Sequence, residues 1–394
     1  MLPNGSKGGL ALRTEHPNTA EQAAEVLAAA DSEGLSVRPR GAGTKLGWGG
    51  PGPEAAIELT TAGLTRIVEH NAPDLTAVVE AGVPLADAQS AFRRGGLMVA
   101  LDPPLGRDEA ATVGGVVATG DSGPLRHRYG APRDLLLGMT VALADGTVAH
   151  AGGKVIKNVA GYDLTKLLAG SFGTLGLVVR VALRLHPLSA KRVTASGSSA
   201  DPVALQRSCY ALAHAPLELE SLDISWEAGT GQVLARCTGA APQPRAEQAT
   251  RLMQEAGLRS EIVEDDEQLW SRQRERQRSE NGTVVRVSGR ASEVARVIET
   301  ASSLGGSVVG RAAMGLLWVA LPPADPAVTV ATIEQLRREL HPLPCVILDA
   351  PREAREGVDV WGKVEPGAAA LMRRVKERFD PRGILNPGLF VDGI

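Results

Sequence analysis

The stretch Ala111-Thr112-Val113-Gly114-Gly115-Val116-Val117-Ala118-Thr119, continuing through Gly120 to Asp121-Ser122-Gly123, is built almost wholly from small residues. Such a run lets backbone pass flat against a planar or phosphate-bearing ligand, because glycine carries no Cβ and adopts positive φ freely. Two further glycine-rich stretches bracket it. Upstream lies Arg40-Gly41-Ala42-Gly43-Thr44-Lys45, directly after a strand-like run. Downstream, Gly152-Gly153-Lys154 leads through Asn158 and Gly161 to Tyr162-Asp163-Leu164, then to Gly170-Ser171-Phe172-Gly173-Thr174-Leu175-Gly176. Any one of the three could be a turn closing two strands. Three in order, each beside a strand within 137 residues, point to loops folded around a cofactor.

The first loop is not a dinucleotide-binding fingerprint. GxGxxG requires a third glycine and a following helix, whereas Leu46 takes that place and 47–53 cannot be helical. Nor is it a P-loop, since Lys45 is not in a GxxxxGK[ST] frame. Successive glycine N–H groups can still form an anion nest, with Arg40, Thr44 or Lys45 adding donors to a diphosphate.

The composition sets the outer bounds. The chain has 394 residues, enough for two or three domains, and 42 Lys+Arg against 45 Asp+Glu leave a net charge of −3. That balance argues against a dedicated nucleic-acid binder. The longest runs without a charge, Leu167–Val179 and Ala312–Ala324, have 13 residues, short of the roughly 20 that span a bilayer. The N-terminal MLPNGSKGGLALRTEH does not read as a secretory signal. Cys209, Cys237 and Cys345 are scattered and form no CxxC pair, so this chain alone is not expected to ligate an iron–sulfur cluster or a thiolate zinc. Of 45 glycines, 28 fall in residues 1–190. The cofactor cradle is therefore placed in the first half.

Local signals fill in the rest. Thr19–Gln22 is a capping box before a helix with the stripe Ala23, Val26, Leu27 and Ala30. Strands are expected over 36–38, 55–59, 75–81, 135–143 and 177–185, with Pro84 opening a helix. From about 190 to 345, strand-like stretches (219–226, 232–237, 284–287, 316–321) alternate with helical ones (203–213, 246–256, 293–303, 331–340). Two passes of a β-α-β-β-α-β order can be drawn through them. The charged segment 264–278 reads as a solvated helix of mixed sign, with a docking face as the alternative.

The motifs RGAGTK (40–45), ATVGGVVATGDSG (111–123), RYGAPRDLLLGMTVALADG (128–146) and KNVAGYDLTKLLAGSFGTLG (157–176) closely resemble the FAD-binding domain of the vanillyl-alcohol oxidase (PCMH-type) family. The closing FDPRGILNPGLF (379–390) resembles that family's C-terminal motif. Together with VDVWG (358–362), these are most similar to the FAD-binding subunits of glycolate oxidase-type complexes. The resemblance implies an α+β fold: a two-lobed PCMH-type FAD-binding domain over 1–190, a ferredoxin-like antiparallel cap over 191–345, and a segment 346–394 returning to the FAD domain. It implies FAD with its diphosphate cradled by Arg40, Gly41, Ala42, Gly43, Thr44 and Lys45. Thr112, Gly114, Gly115, Ser122 and Gly123 would line the cofactor, Gly176 and Val178 its adenine or ribose end, and Asn386 would lie towards the isoalloxazine. The family's covalent members commonly use a His in the first loop or a Cys in the second; neither is present, so non-covalent FAD is expected.

Members that oxidise 2-hydroxy acids often carry a His-rich metal cluster in the cap. The seven histidines here make no HxxxH or HxH pair, so no metal site is expected. The family's GSEGTLG glutamate is replaced by Phe172. Candidate bases are His127, in Arg126-His127-Arg128-Tyr129, and Tyr162. The alternative for the former is a basic surface turn packed against cofactor or partner. The implied role is an FAD subunit of a complex oxidising glycolate, a small 2-hydroxy acid, to glyoxylate. Its partners would be a homologous FAD-containing catalytic subunit and an iron–sulfur subunit, in the cytoplasm or at the inner membrane through those partners. This chain would be accessory or an electron relay. Competing readings are a free-standing FAD-dependent oxidoreductase and a scaffold with a vestigial flavin site.

Overall fold

A computed structural model describes residues 12–155 and 163–394. Three sheets carry the architecture, beginning with a parallel one of order Arg13–Glu15, Ile57–Thr60, Val37–Arg40. Its covering helix, Ala20–Glu33, starts where the capping box placed it. Gln22 N donates to Thr19 Oγ1 at 3.2 Å, and Asn18 N donates to Gln22 Oε1 at 2.8 Å. Ala23, Leu27 and Ala30 are buried beneath it.

The second sheet is antiparallel, with strand order Ile67–Asn71, Thr76–Glu80, Leu177–Arg184, Leu136–Ala142, Val148–Gly152. Its central strand is buried on both sides, and an irregularity in its pairing with Leu136–Ala142, where Thr140 pairs with Arg180 but Val141 with Val178, changes which side chains face which side. Leu177 and Val179 join the core under the parallel sheet, while Val178, Val181 and Leu183 join a second core with the helices Leu85–Arg93 and Val113–Thr119. Two lobes thus share one strand as their common wall.

The third sheet has eight antiparallel strands, ordered Arg259–Val263, Arg192–Ser199, Thr230–Thr238, Ser221–Glu227, Ser307–Arg311, Leu316–Leu321, Thr283–Ser288, Cys345–Asp349. It consists of two β-α-β-β-α-β units of the ferredoxin-like kind. They meet edge to edge where Ser221–Glu227 pairs with Ser307–Arg311. The helices cover one face and bury Leu205, Ile224, Val285, Val319 and Ile333. The opposite face packs Val284, Val309, Leu316, Trp318 and Leu348 against Trp48 of the first lobe.

The segment 264–278 departs from the solvated helix expected of its charges. Trp270 is fully buried, its Nε1 donating to Thr194 Oγ1 at 2.9 Å. Asp266 takes a two-pronged ion pair from buried Arg236, at 2.8 and 2.9 Å. The charges that made the segment look solvated are partly spent on internal pairing.

The C-terminal segment closes back on the first lobe. Val37 N donates to Ile384 O at 2.8 Å, and Asn386 N donates to Val37 O at 2.9 Å. Buried Lys376 donates to Thr174 O, Asp380 Oδ2 and Leu385 O at 2.6–2.8 Å. One ammonium therefore ties this segment to the third glycine-rich loop.

The cap is anchored through Asp349. Its carboxylate accepts from Trp48 Nε1 (3.0 Å), Arg278 Nε (2.7 Å), Arg278 Nη2 (3.0 Å) and Ser279 N (3.1 Å). Arg278 also donates to Thr44 O at 3.2 Å and lies over the Trp48 ring. Removing one partner of a buried pair strands the other, so Asp349→Ala is expected to cost about 3 kcal/mol, read as a lowered midpoint in denaturant unfolding. A change under roughly 0.5 kcal/mol would contradict the anchor.

Candidate cofactor site

A cleft of about 220 Å³ opens between the loop at 40–45, the helix Val113–Thr119 with its leading Ala111 and Thr112, the loop ending at Gly176, and Asn386–Leu389. Arg40, Gly41, Ala42, Gly43, Thr44, Lys45, Thr112, Gly114, Gly115, Gly176, Val178 and Asn386 all line it. Ser122 and Gly123 do not. Ser122 is buried with Arg126 donating to its hydroxyl at 3.2 Å, and a side chain at Gly123 would strike Asp102 O at 1.8 Å. His127 also lies off this cleft, and Tyr162 lies outside the described residues.

The walls leave no room for a side chain at their glycines. A Cβ at Gly41 would meet Thr112 Oγ1 at 2.3 Å, and one at Gly52 would meet Pro387 O at 2.4 Å. Gly43 sits at φ +82°, where other residues are strained. The N–H groups of Gly41 through Lys45 donate to no acceptor among the described residues. Five consecutive free donors make the anion nest that a diphosphate requires. The donor set and the glycine-walled cradle fit FAD bound along its phosphates.

Lys45 is the buried cation of this cradle. It sits 3.3 Å from Asp121 Oδ2 and over Trp48, and burial pulls its pKa below the usual lysine value against the pull of Asp121. Opposite the nest, Phe172 and Asn386 both adopt positive φ and are linked by Asn386 Nδ2 donating to Phe172 O at 2.8 Å. Phe172, Trp361 and Phe390 pack ring against ring. The residue that replaces the family's glutamate therefore belongs to an aromatic cluster closing this end of the cleft.

His127 has an Nδ1 that is buried and without a partner among the described residues, and burial lowers its pKa. Its neighbours hold the cap: Arg128 donates to Glu218 O at 3.2 Å and Tyr129 to Glu220 Oε1 at 3.4 Å. The turn is thus packed against the cap and off the cleft. Sequence reasoning missed Arg355, whose Nη1 donates to Gly49 O and which lines the cleft from the segment after the cap sheet. No local signal marks it. Among the described residues no group of His, Cys, Asp and Glu could hold a metal, and the three cysteines are buried away from the cleft.

The comparisons agree with this geometry. Residues 12–152 match the family model described as FAD binding domain, and residues 362–389 match that of FAD linked oxidases, C-terminal domain. Over these residues the chain therefore carries an FAD-binding domain and the C-terminal element of FAD-linked oxidases. It is similar to a D-lactate dehydrogenase of Archaeoglobus fulgidus, 38% identical over 171 residues, covering 43% of this chain and 38% of that one. It is also similar to glycolate oxidase subunit GlcE of Escherichia coli, 36% identical over 159 residues, covering 40% of this chain and 43% of that one. These matches span less than half of either relative. In fold it resembles an alkyldihydroxyacetonephosphate synthase at TM-score 0.71 and 13% identity, over 95% of this chain and 76% of that chain.

Two outcomes test the site. Gly41→Ala, which pushes a methyl into Thr112, is expected to raise the Kd for FAD at least about tenfold in a flavin-fluorescence titration, with far-UV dichroism unchanged. Unaltered affinity would remove the first loop from the site. Asp102, next to Gly123, is pushed up to about 7 by burial, with Arg274 and Arg311 opposing. Between about pH 4 and 7 the folded chain keeps a proton that the unfolded chain has lost, so this contribution to stability fades as pH rises through that window. Asp102→Asn is expected to match the parent near pH 4 and exceed it by on the order of 3 kcal/mol at pH 8. A pH-independent difference would contradict the assignment.

Proposed function

We propose that this chain is a non-covalent FAD subunit of an oxidoreductase acting on a small 2-hydroxy acid. Glycolate oxidised to glyoxylate is the leading case, with the glycolate oxidase component GlcE as the functional parallel. The observation that carries this reading is the cradle: five free N–H groups beside a buried lysine on a glycine-walled cleft. Bound FAD would supply the two-electron acceptor for removing two hydrogens from the alcohol carbon and its hydroxyl. Gly41–Lys45 would hold the diphosphate, Thr112, Gly114 and Gly115 would let the cofactor lie against backbone, and Asn386 with Phe172 would close the far side. Among the described residues neither His nor Cys lines the cleft, which supports dissociable FAD.

The chain is read as accessory or electron-relaying, with a homologous FAD-containing catalytic subunit and an iron–sulfur subunit as partners. The assembly would lie in the cytoplasm or at the inner membrane through those partners. Two observations support this: a His-rich metal cluster is absent from the sequence, and the His127 turn is spent on the cap. No helix of the described residues is long and apolar enough to cross a membrane. The test is anaerobic addition of glycolate to the FAD-loaded chain, followed by absorbance. The flavin band is expected to stay oxidised until the partner subunits are added. Bleaching by the chain alone would overturn the accessory role and favour a free-standing oxidoreductase.

A further inference from the structure

The face of the cap sheet that meets the FAD-binding domain carries an unbalanced set of buried donors. Trp318 stands between neighbouring strands, paired in register with Arg286 on one side and Val309 on the other. Arg311 lies over the Trp318 ring, 4.5 Å from its centroid, and is fully buried. Its Nε donates to Gly123 O at 3.1 Å, so the second glycine-rich stretch fixes its fork. Arg126 arrives from the FAD-binding domain, held by Ser122.

The outward atoms of this cluster lack partners. Arg126 Nε, Arg286 Nε, Arg311 Nη1 and Nη2, and Trp318 Nε1 are all buried with no acceptor among the described residues. The guanidiniums are close enough that Arg286 and Arg311 both depress the pKa of Arg126, after burial itself. The nearby carboxylates do not balance them. Asp121 is engaged by Lys45 and Ser122 N. Asp223 lies 3.7 Å from Arg311 Nε, with neither oxygen hydrogen-bonded. Three cations thus face two carboxylates that Lys45 does not engage, Asp223 and Asp102. Burial pushes Asp102 up to about 7, so below that pH the cations are in excess, and a buried charge without a partner is costly.

Even with both Asp223 oxygens free, cationic donors outnumber the acceptors, so the cluster selects a ligand that accepts and brings negative charge. A carboxylate does so, and its two oxygens match the guanidinium fork. We propose that Arg126, Arg286 and Arg311, with Trp318 as their floor, form a metal-free receptor for the carboxylate of a small organic acid. The choice of a small hydroxy acid as occupant rests on the functional reading above; the anion site does not. The site would bind the acid whether or not this chain turns it over.

Isothermal titration of the chain as purified, with its flavin content measured by absorbance in the same sample, tests this. Glycolate is expected to bind, with glycolamide, its uncharged analogue, at least about tenfold weaker. Arg286→Gln is expected to weaken glycolate at least about tenfold, and Arg126→Gln, which is less buried, serves if the first variant does not fold. Sulfate binding as tightly as glycolate, equal binding of glycolamide, or unchanged affinity in a folded variant would each overturn the carboxylate site. A sample that binds glycolate but takes up no added FAD would undercut the FAD reading and leave the anion site standing. A flavin-loaded sample without glycolate binding would do the reverse.

Discussion

The carboxylate of Asp349 holds the molecule's two halves in register. It is the last residue of the last strand in the eight-stranded sheet, yet it accepts from Trp48, three residues beyond the first glycine-rich loop. Arg278 completes the junction by bonding Asp349 with its fork and the carbonyl of Thr44 with the same guanidinium. The loop that presents five free N–H groups is therefore braced from the cap side. A flexible glycine loop loses conformational entropy on binding; bracing by an ion pair and a buried indole removes part of that cost beforehand. Lys376 does the equivalent on the other wall, fixing the loop at Thr174 against the strand-like return at Leu385.

Much of the cofactor site was legible because its requirements are written in residue size. Where backbone must approach a ligand or another loop, only glycine or alanine fits, and RGAGTK and ATVGG mark those places directly. The cap's repeated β-α-β-β-α-β order was legible from the period of its apolar residues. Four of its eight strands were not. Arg192–Ser199 is mostly small hydroxyl-bearing or glycine residues and carries no alternating apolar signal. Ser307–Arg311 is five residues long with a glycine inside, and Cys345–Asp349 follows two prolines closely. Tertiary pairing decides such strands.

The cap side of the site was not legible. Arg286 and Arg311 are isolated arginines in apolar strands, and which face they occupy follows from register. Register brings Arg286 beside Trp318, and Arg311 against Gly123, 188 positions away in sequence. The run 264–278 misled for the opposite reason. Its charges suggested solvent, whereas Arg236 lay in a distant strand waiting to pair with Asp266. The absence of a histidine cluster was visible at once, whereas the meeting of Arg286 and Arg311 on the inner face of the cap sheet was not.

The central claim is that the chain holds FAD reversibly through the nest at Gly41–Lys45. The most direct measurement is calorimetric titration of FAD into chain stripped of bound cofactor, with riboflavin as the comparison lacking phosphates. Tight binding of FAD with little or none of riboflavin is expected, since the nest recognises the diphosphate. Equal binding of both, or none of either by folded protein, would contradict the account.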